Sequence, residues 1–269
     1  IVNKLKRENG LTYKTDNIVV SPGAKLSVAN LMLSLLDKED EIIIPAPYWV
    51  SYTGILSLVG AKECIVSCGI QNDFKLSPEQ LKKNITSNTK ALIFSSPCNP
   101  TGSVYSKAEL KALVQVLKEY PDVVIISDEI YEHITFKEPH ISIASFEEIR
   151  DRVVIINGVS KGFAMTGWRI GYIAAPEYIA KACEKIQGQL TSGACSIAQK
   201  AATEALNADL HETIKMREAF RNRKEIMLSY LRKIDGLVSN DPQGAFYIFP
   251  DIHNFFGKRA ANEPGCNVP

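Results

Sequence analysis

Apolar residues in this chain follow two spacings. Short β-branched runs at 17–20 (NIVV), 41–45 (EIIIP), 62–67 (KECIVS), 90–96 (KALIFSS), 122–127 (DVVIIS), 152–157 (RVVIIN) and 168–175 (WRIGYIAA) read as strands. Longer stretches with helical spacing predict helices over 24–36, 48–59, 78–85 and 106–120. The runs are apolar without strict alternation, which suits strands covered on both faces. Strands and helices in alternation predict an α/β fold: three layers, with a mostly parallel sheet between helices and right-handed crossovers. Ligands of such sheets gather beyond the carboxyl ends of the strands, so functional residues are expected just after strands.

From about residue 176 helical spacing takes over, through EYIAKACEKIQGQL, SIAQKAATEAL and a long charged helix near 209–233. This predicts a large domain over 1–208. An interdomain helix and part of a smaller α+β domain follow over 209–269, the smaller unit starting at GAFYIFPDI (244–252). The opening IVNKLKRENG reads as the tail of an amphipathic helix, which suggests that the protein starts further upstream.

Composition narrows the picture. The chain of 269 residues is 45% hydrophobic and 23% charged, as ordinary soluble proteins are. Its net charge is +1, with basic and acidic residues interleaved, which argues against nucleic acid or an anionic membrane as the main partner. No apolar run approaches the ~18–20 residues that span a bilayer. The six cysteines (Cys64, Cys68, Cys98, Cys183, Cys195, Cys266) show neither zinc spacing nor a CxxC pair. They read as scattered reduced thiols of a cytosolic protein, with no metal expected.

Candidate chemistry follows the strands. In VVSPGAKLSVANLMLSLLD (19–37) a strand, a tight Ser-Pro-Gly turn and a helix succeed one another, with Leu26, Leu31, Leu33 and Leu35 expected inside. The first amides of that helix, at Ala24 and Lys25, form a natural phosphate cradle, although a plain strand–helix turn has the same signature. Tyr48 and Trp49 follow the second strand, where a tryptophan either lies on an aromatic ligand or packs in a core. Asn99, in SSPCNPTG between two prolines, is a stiffly aimed amide or part of a simple Asn-Pro turn. The fifth strand ends on Asp128 and Glu129, and an acid at the mouth of a buried strand calls for a positive partner. Tyr131 offers a phenol nearby, whereas His133 reads as structural or superficial. Finally NGVSKGFAMTGWRIGY (157–172) sets Lys161 at the end of a strand, with Ser160 before it and Arg169 eight residues on. A lysine in a walled site close to another cation becomes a nucleophilic amine; otherwise it snorkels to solvent. Taken together, a phosphate cradle, an aromatic plate, an amide, an acid, a phenol, an amine and an arginine suit one ligand, pyridoxal 5′-phosphate.

SPGAK, PYWVSY, PCNPTG, DEIYEH and NGVSKGFAMTGWRIGY resemble, in that order, the fold-type-I class I aminotransferases, and most closely the bacterial-type aspartate aminotransferases. The resemblance implies that Lys161 is the Schiff-base lysine and proton shuttle. It makes Asp128 the partner of the pyridinium nitrogen, and Tyr131 and Asn99 the partners of the cofactor's phenolic oxygen, with Asn99 also approaching the substrate carboxylate. Trp49 would stack on the ring and meet substrate, and Ala24, Lys25, Ser160 and Arg169 would hold the phosphate. It also implies a cis peptide at Asn99–Pro100, a cytoplasmic homodimer, and transfer of an amino group, most simply from aspartate to 2-oxoglutarate, by ping-pong chemistry. Aromatic, alanine or prephenate specificity and a non-catalytic sensor domain share the same motifs. Members carry an N-terminal gating segment and a C-terminal arginine that clamps the substrate carboxylate; neither has a match here, Arg259 standing in a different context.

Overall fold

The computed structural model describes residues 1–258. Helix α1 (Val2–Asn9) leads into β1 (Ile18–Ser21), α2 (Ala24–Leu35), β2 (Glu41–Ala46), α3 (Ser51–Val59) and β3 (Lys62–Ser67). There follow α4 (Pro78–Asn84), β4 (Thr89–Ser95), α5 (Lys107–Leu117), β5 (Val124–Asp128), β6 (Val153–Gly158) and β7 (Gly171–Ala174). Three helices close the succession: α6 (Glu177–Leu190), α7 (Ser196–Asn207) and α8 (His211–Leu231).

The seven strands form one sheet in the order β1-β7-β6-β5-β4-β2-β3. Strands β2 to β6 are mutually parallel, and β7 runs against both β6 and β1. The mostly parallel sheet expected from the sequence is therefore present, and its apolar runs have a simple cause. Ile43, Leu92, Ile125 and Ile155 face a core shared with Leu81 of α4 and Leu110, Leu113 and Leu117 of α5. Their neighbours Ile42, Ile44, Ile93, Ile126 and Ile156 face the opposite core, with Val28, Leu31 and Met32 of α2, Ile55 of α3 and Ile179 of α6. Both pleat faces of β5 and β6 are buried along their whole length, which removes the polar–apolar alternation there, whereas edge strand β3 exposes Lys62, Glu63 and Ser67. Within α2, Leu31 is in this core but Leu33, expected inside, is 40% exposed, because the buried stripe runs through Val28, Leu31 and Met32.

Local chemistry sets the boundaries. Ser77 and Ser106 cap α4 and α5, each reciprocated by the residue at the third helical position, Gln80 and Glu109. Helix α3 begins at Ser51, so Tyr48 and Trp49 lie in the turn before it, where Tyr52 N–H donates to Trp49 C=O at 3.0 Å. Strand β7 begins at Gly171, leaving Trp168 in a 3₁₀ turn and Arg169 in the left-handed region at φ 56°. Beyond α8, residues 243–251 make only isolated bridges, Thr135 with Gly244 and Val238 with Asp251. The backbone of this stretch is nonetheless stitched to the large sheet's loops: Gln243 N–H and Gly244 N–H donate to Gly102 C=O, each at 2.9 Å, and Ala245 N–H donates to Ile134 C=O at 2.8 Å. Arg259 and Cys266 lie outside the described residues.

Candidate active site

Strands β4, β5 and β6 point their carboxyl ends at one cavity of about 250 Å³, and so does the start of α2. All nine residues singled out from the sequence line it: Ala24, Lys25, Trp49, Asn99, Asp128, Tyr131, Ser160, Lys161 and Arg169. Residues from 24 to 169 meet because parallel strands deliver successive loops to the same edge of the sheet.

The anion-binding corner is built by close backbone approach. Gly23, at φ 89°, caps α2, and a Cβ there would fall 2.2 Å from an Arg169 guanidinium nitrogen. A Cβ on Gly171 would fall 2.2 Å from the Ala24 amide nitrogen. Only glycines allow β7, the helix start and the arginine to converge. The amides of Ala24 and Lys25 have no acceptor among the described residues and stand at the positive end of α2. Ser160 is buried beside them, and Arg169, anchored to Thr166 C=O at 2.9 Å, supplies the charge. Unpaired amides, a hydroxyl and a guanidinium form a donor set suited to a phosphate.

At the far wall Asp128 ends β5 with 5% exposure. Its carboxylate accepts from Tyr52 O–H at 2.7 Å and from Ile130 N–H at 3.3 Å. Burial outweighs these donors and pushes its pKa up to about 6; Lys161 pulls it back only weakly. A cation set against this carboxylate would bring that pKa back down. Lys161 lies 5.7 Å from the Tyr131 ring centre and 5.4 Å from that of Phe246. Desolvation, then the nearby Arg169, hold its amine below the ordinary lysine range, with Asp128 opposing. The amine is therefore turned into the cavity and walled by aromatic rings, as the nucleophilic reading of the sequence requires.

Trp49 meets Tyr52 edge-on at 5.5 Å and carries the Lys25 ammonium over its face at 5.2 Å. Asn99 lies in a turn whose Asn99–Pro100 peptide is cis, as the resemblance implies. His133 takes the structural part expected of it. Its Nε2 pairs with Glu8 at 2.9 Å, outside the cavity, next to the buried pair Lys4–Glu132.

Five lining residues were not singled out from the sequence (Tyr52, Ser95, Ile130, Thr166 and Tyr247), and two of them hydrogen-bond predicted site side chains through their own hydroxyls. Tyr52, the donor to Asp128, stands three residues after Trp49, and its place one helical turn in was the available signal. Tyr247 approaches the Tyr131 hydroxyl at 2.6 Å from more than a hundred residues away, and no local pattern marks it.

The matches to known proteins agree with this geometry. The family model described as "Aminotransferase class I and II" matches residues 1–268. The chain belongs to the class I and II aminotransferases. Among curated members of this family, an aspartate/prephenate aminotransferase of Cereibacter sphaeroides is 45% identical over 97% of this chain and 66% of its own length. A bifunctional aspartate aminotransferase and glutamate/aspartate-prephenate aminotransferase of Petunia hybrida is 44% identical over 96% of this chain and 54% of its own. Among solved aminotransferases, the aspartate enzyme of Rhizobium meliloti superposes with a TM-score of 0.93 at 39% identity, covering 95% of this chain and 64% of the other. The aromatic enzyme of Pyrococcus horikoshii gives 0.91 at 36%, covering 94% and 69%. The chain thus spans just over half to two thirds of the length of these aminotransferases.

Proposed function

We propose that the protein is a pyridoxal-phosphate-dependent aminotransferase that moves the amino group of aspartate to 2-oxoglutarate. One observation carries the reading: a desolvated lysine amine and a buried carboxylate from neighbouring strands open into one cavity, beside a cradle of free amides and an arginine. When bound, the cofactor supplies an aldehyde for the lysine and a cationic ring that withdraws electrons from the substrate.

The chain's own residues take complementary parts. Lys161, less basic than an ordinary lysine, keeps a larger fraction of free amine at neutral pH; it is the nucleophile and the base for the substrate's α-proton. Asp128 holds the ring nitrogen's proton by charge, and Tyr52 and Ile130 N–H fix the direction of its oxygens. Ala24 and Lys25 amides, Ser160 and Arg169 anchor the phosphate. Trp49 would cover the ring and the substrate, and Asn99 and Tyr131 would serve the phenolic oxygen, with Asn99 also available to the substrate carboxylate. The two-substrate cycle is ping-pong.

Aspartate as donor is supported by the aspartate and aspartate/prephenate aminotransferases among the relatives. The resemblance likewise supports a homodimer, a large domain over 1–208 and the start of a smaller one over 209–269. A cytoplasmic place is supported by the free thiols of Cys64, Cys68, Cys98, Cys183 and Cys195. No described helix is long and apolar enough to cross a membrane. The test is the absorbance of the purified protein loaded with pyridoxal phosphate. A pH-dependent visible band that aspartate bleaches and 2-oxoglutarate restores is expected. A protein that stays colourless after incubation with the cofactor overturns the reading.

A further inference from the structure

We infer that Tyr247 is a positioning residue that orients the hydroxyl proton of Tyr131 toward the cofactor's phenolic oxygen, an inference that rests on the proposed function. The two phenol oxygens lie 2.6 Å apart, with the Tyr131 side chain buried at 2% exposure and the rings edge-on at 5.7 Å. A phenol has one proton to donate and lone pairs with which to accept. The Tyr131 proton can therefore go to Tyr247 or to a ligand, never to both. With an electron-rich oxygen opposite, Tyr131 donates to the ligand and Tyr247 must donate to Tyr131. A hydroxyl that accepts one hydrogen bond becomes a stronger donor in the next.

The position of Tyr247 is built into the backbone. Gly244 packs so closely that a Cβ would fall 2.7 Å from Ile134 C=O, and Ala245 holds the left-handed region at φ 55°. This segment also ties to Gly102, in the turn that carries Asn99, as well as to Ile134, in the turn that carries Tyr131. Both turns that face the phenolic oxygen are thus fixed to the strip that delivers the Tyr247 hydroxyl.

The readout is the pH midpoint of the visible band in the loaded protein, independent of turnover. A donor to the phenolic oxygen weakens that oxygen's hold on the proton it shares with the nitrogen contributed by Lys161, so losing donor strength raises the midpoint. Tyr247→Phe should raise it by about 0.3–0.5 pH unit, from a change of ~10–30% in one hydrogen bond. Tyr131→Phe should raise it further, and adding Tyr247→Phe to Tyr131→Phe should change nothing more, since the path is gone. An unchanged midpoint, or equal shifts in both backgrounds, overturns the inference. If Tyr247→Phe fails to fold, 3-fluorotyrosine at position 247 keeps the shape and acidifies the donor; it should lower the midpoint, and no change overturns the inference. Failure of the unaltered protein to take up cofactor removes the proposed function and this inference together, whereas uptake with no coupling removes this inference alone.

Discussion

Asp128→Asn should make the cofactor-free protein more stable and the loaded protein inactive. Desolvation pushes the pKa of the buried carboxyl up from 3.8 to about 6. A rise of about two units corresponds to about 3 kcal/mol favouring the protonated form in the folded state. The sign follows from proton counts. Between 3.8 and about 6 the folded protein binds more protons than the unfolded chain, so stability falls as pH rises through that window. The destabilisation is complete above about 6 and absent below 3.8. Asparagine has nearly the same shape, can still accept from Tyr52, and carries no charge to desolvate. A gain of about 1–3 kcal/mol at pH 7 is expected, read as a rise of about 2–4 °C in Tm per kcal/mol for a chain near this size. Thermal melts of cofactor-free protein at pH 7 and pH 4 provide the assay. The gain should vanish at pH 4, while the loaded variant should lose proton abstraction in single turnover. A loss of stability at pH 7, or a gain that persists at pH 4, would refute the reasoning. Charge kept in a site at a cost to the empty fold is the signature of a group placed for a ligand.

Three other outcomes are expected. Tyr52→Phe removes the 2.7 Å donor to Asp128 and should weaken cofactor binding about 10- to 100-fold, the worth of one hydrogen bond to a charged group, measured by titrating the visible band. Gly171→Ala puts a Cβ 2.2 Å from the Ala24 amide, where only backbone can give way, so it should cost about 1–3 kcal/mol in urea unfolding and impair inorganic phosphate binding to the cofactor-free protein; unchanged values for both would contradict the close approach. Glu132, held down to about 2 because the charges of Lys4 and His133 outweigh its burial, contributes stability that is complete above about 4.5 and lost as pH falls toward 2. Glu132→Gln should therefore flatten the acid limb of the unfolding curve, and should cost about 3 kcal/mol at pH 7 by leaving buried Lys4 with only the more distant carboxylate of Glu8, at 3.6 Å.

The sites legible in the sequence were those whose chemistry conflicts with their neighbourhood. Asp128, Lys161 and Asn99 stand at the ends of apolar strands, where a polar side chain is costly unless something answers it. The left-handed Arg169 and the glycines at 23 and 171 were legible as a motif, but their contact was not. That contact depends on β7 running back along β1 and passing the start of α2. Leu33 was misplaced because four leucines in α2 fit more than one helical stripe, and the sheet selects which stripe is covered.

Periodicity determines elements, since it acts through neighbours a few residues apart, and the apolar runs were enough to establish a parallel sheet buried on both faces. The order of motifs likewise determined which side chains would gather at its carboxyl edge. Tertiary structure alone decided which groups tune them: Tyr52 against Asp128, Phe246 over the Lys161 amine, and Tyr247 against Tyr131. These pairings join residues 76, 85 and 116 positions apart, and hydrogen bonds and desolvation act over a few ångströms of space, a distance that spacing along a chain does not encode.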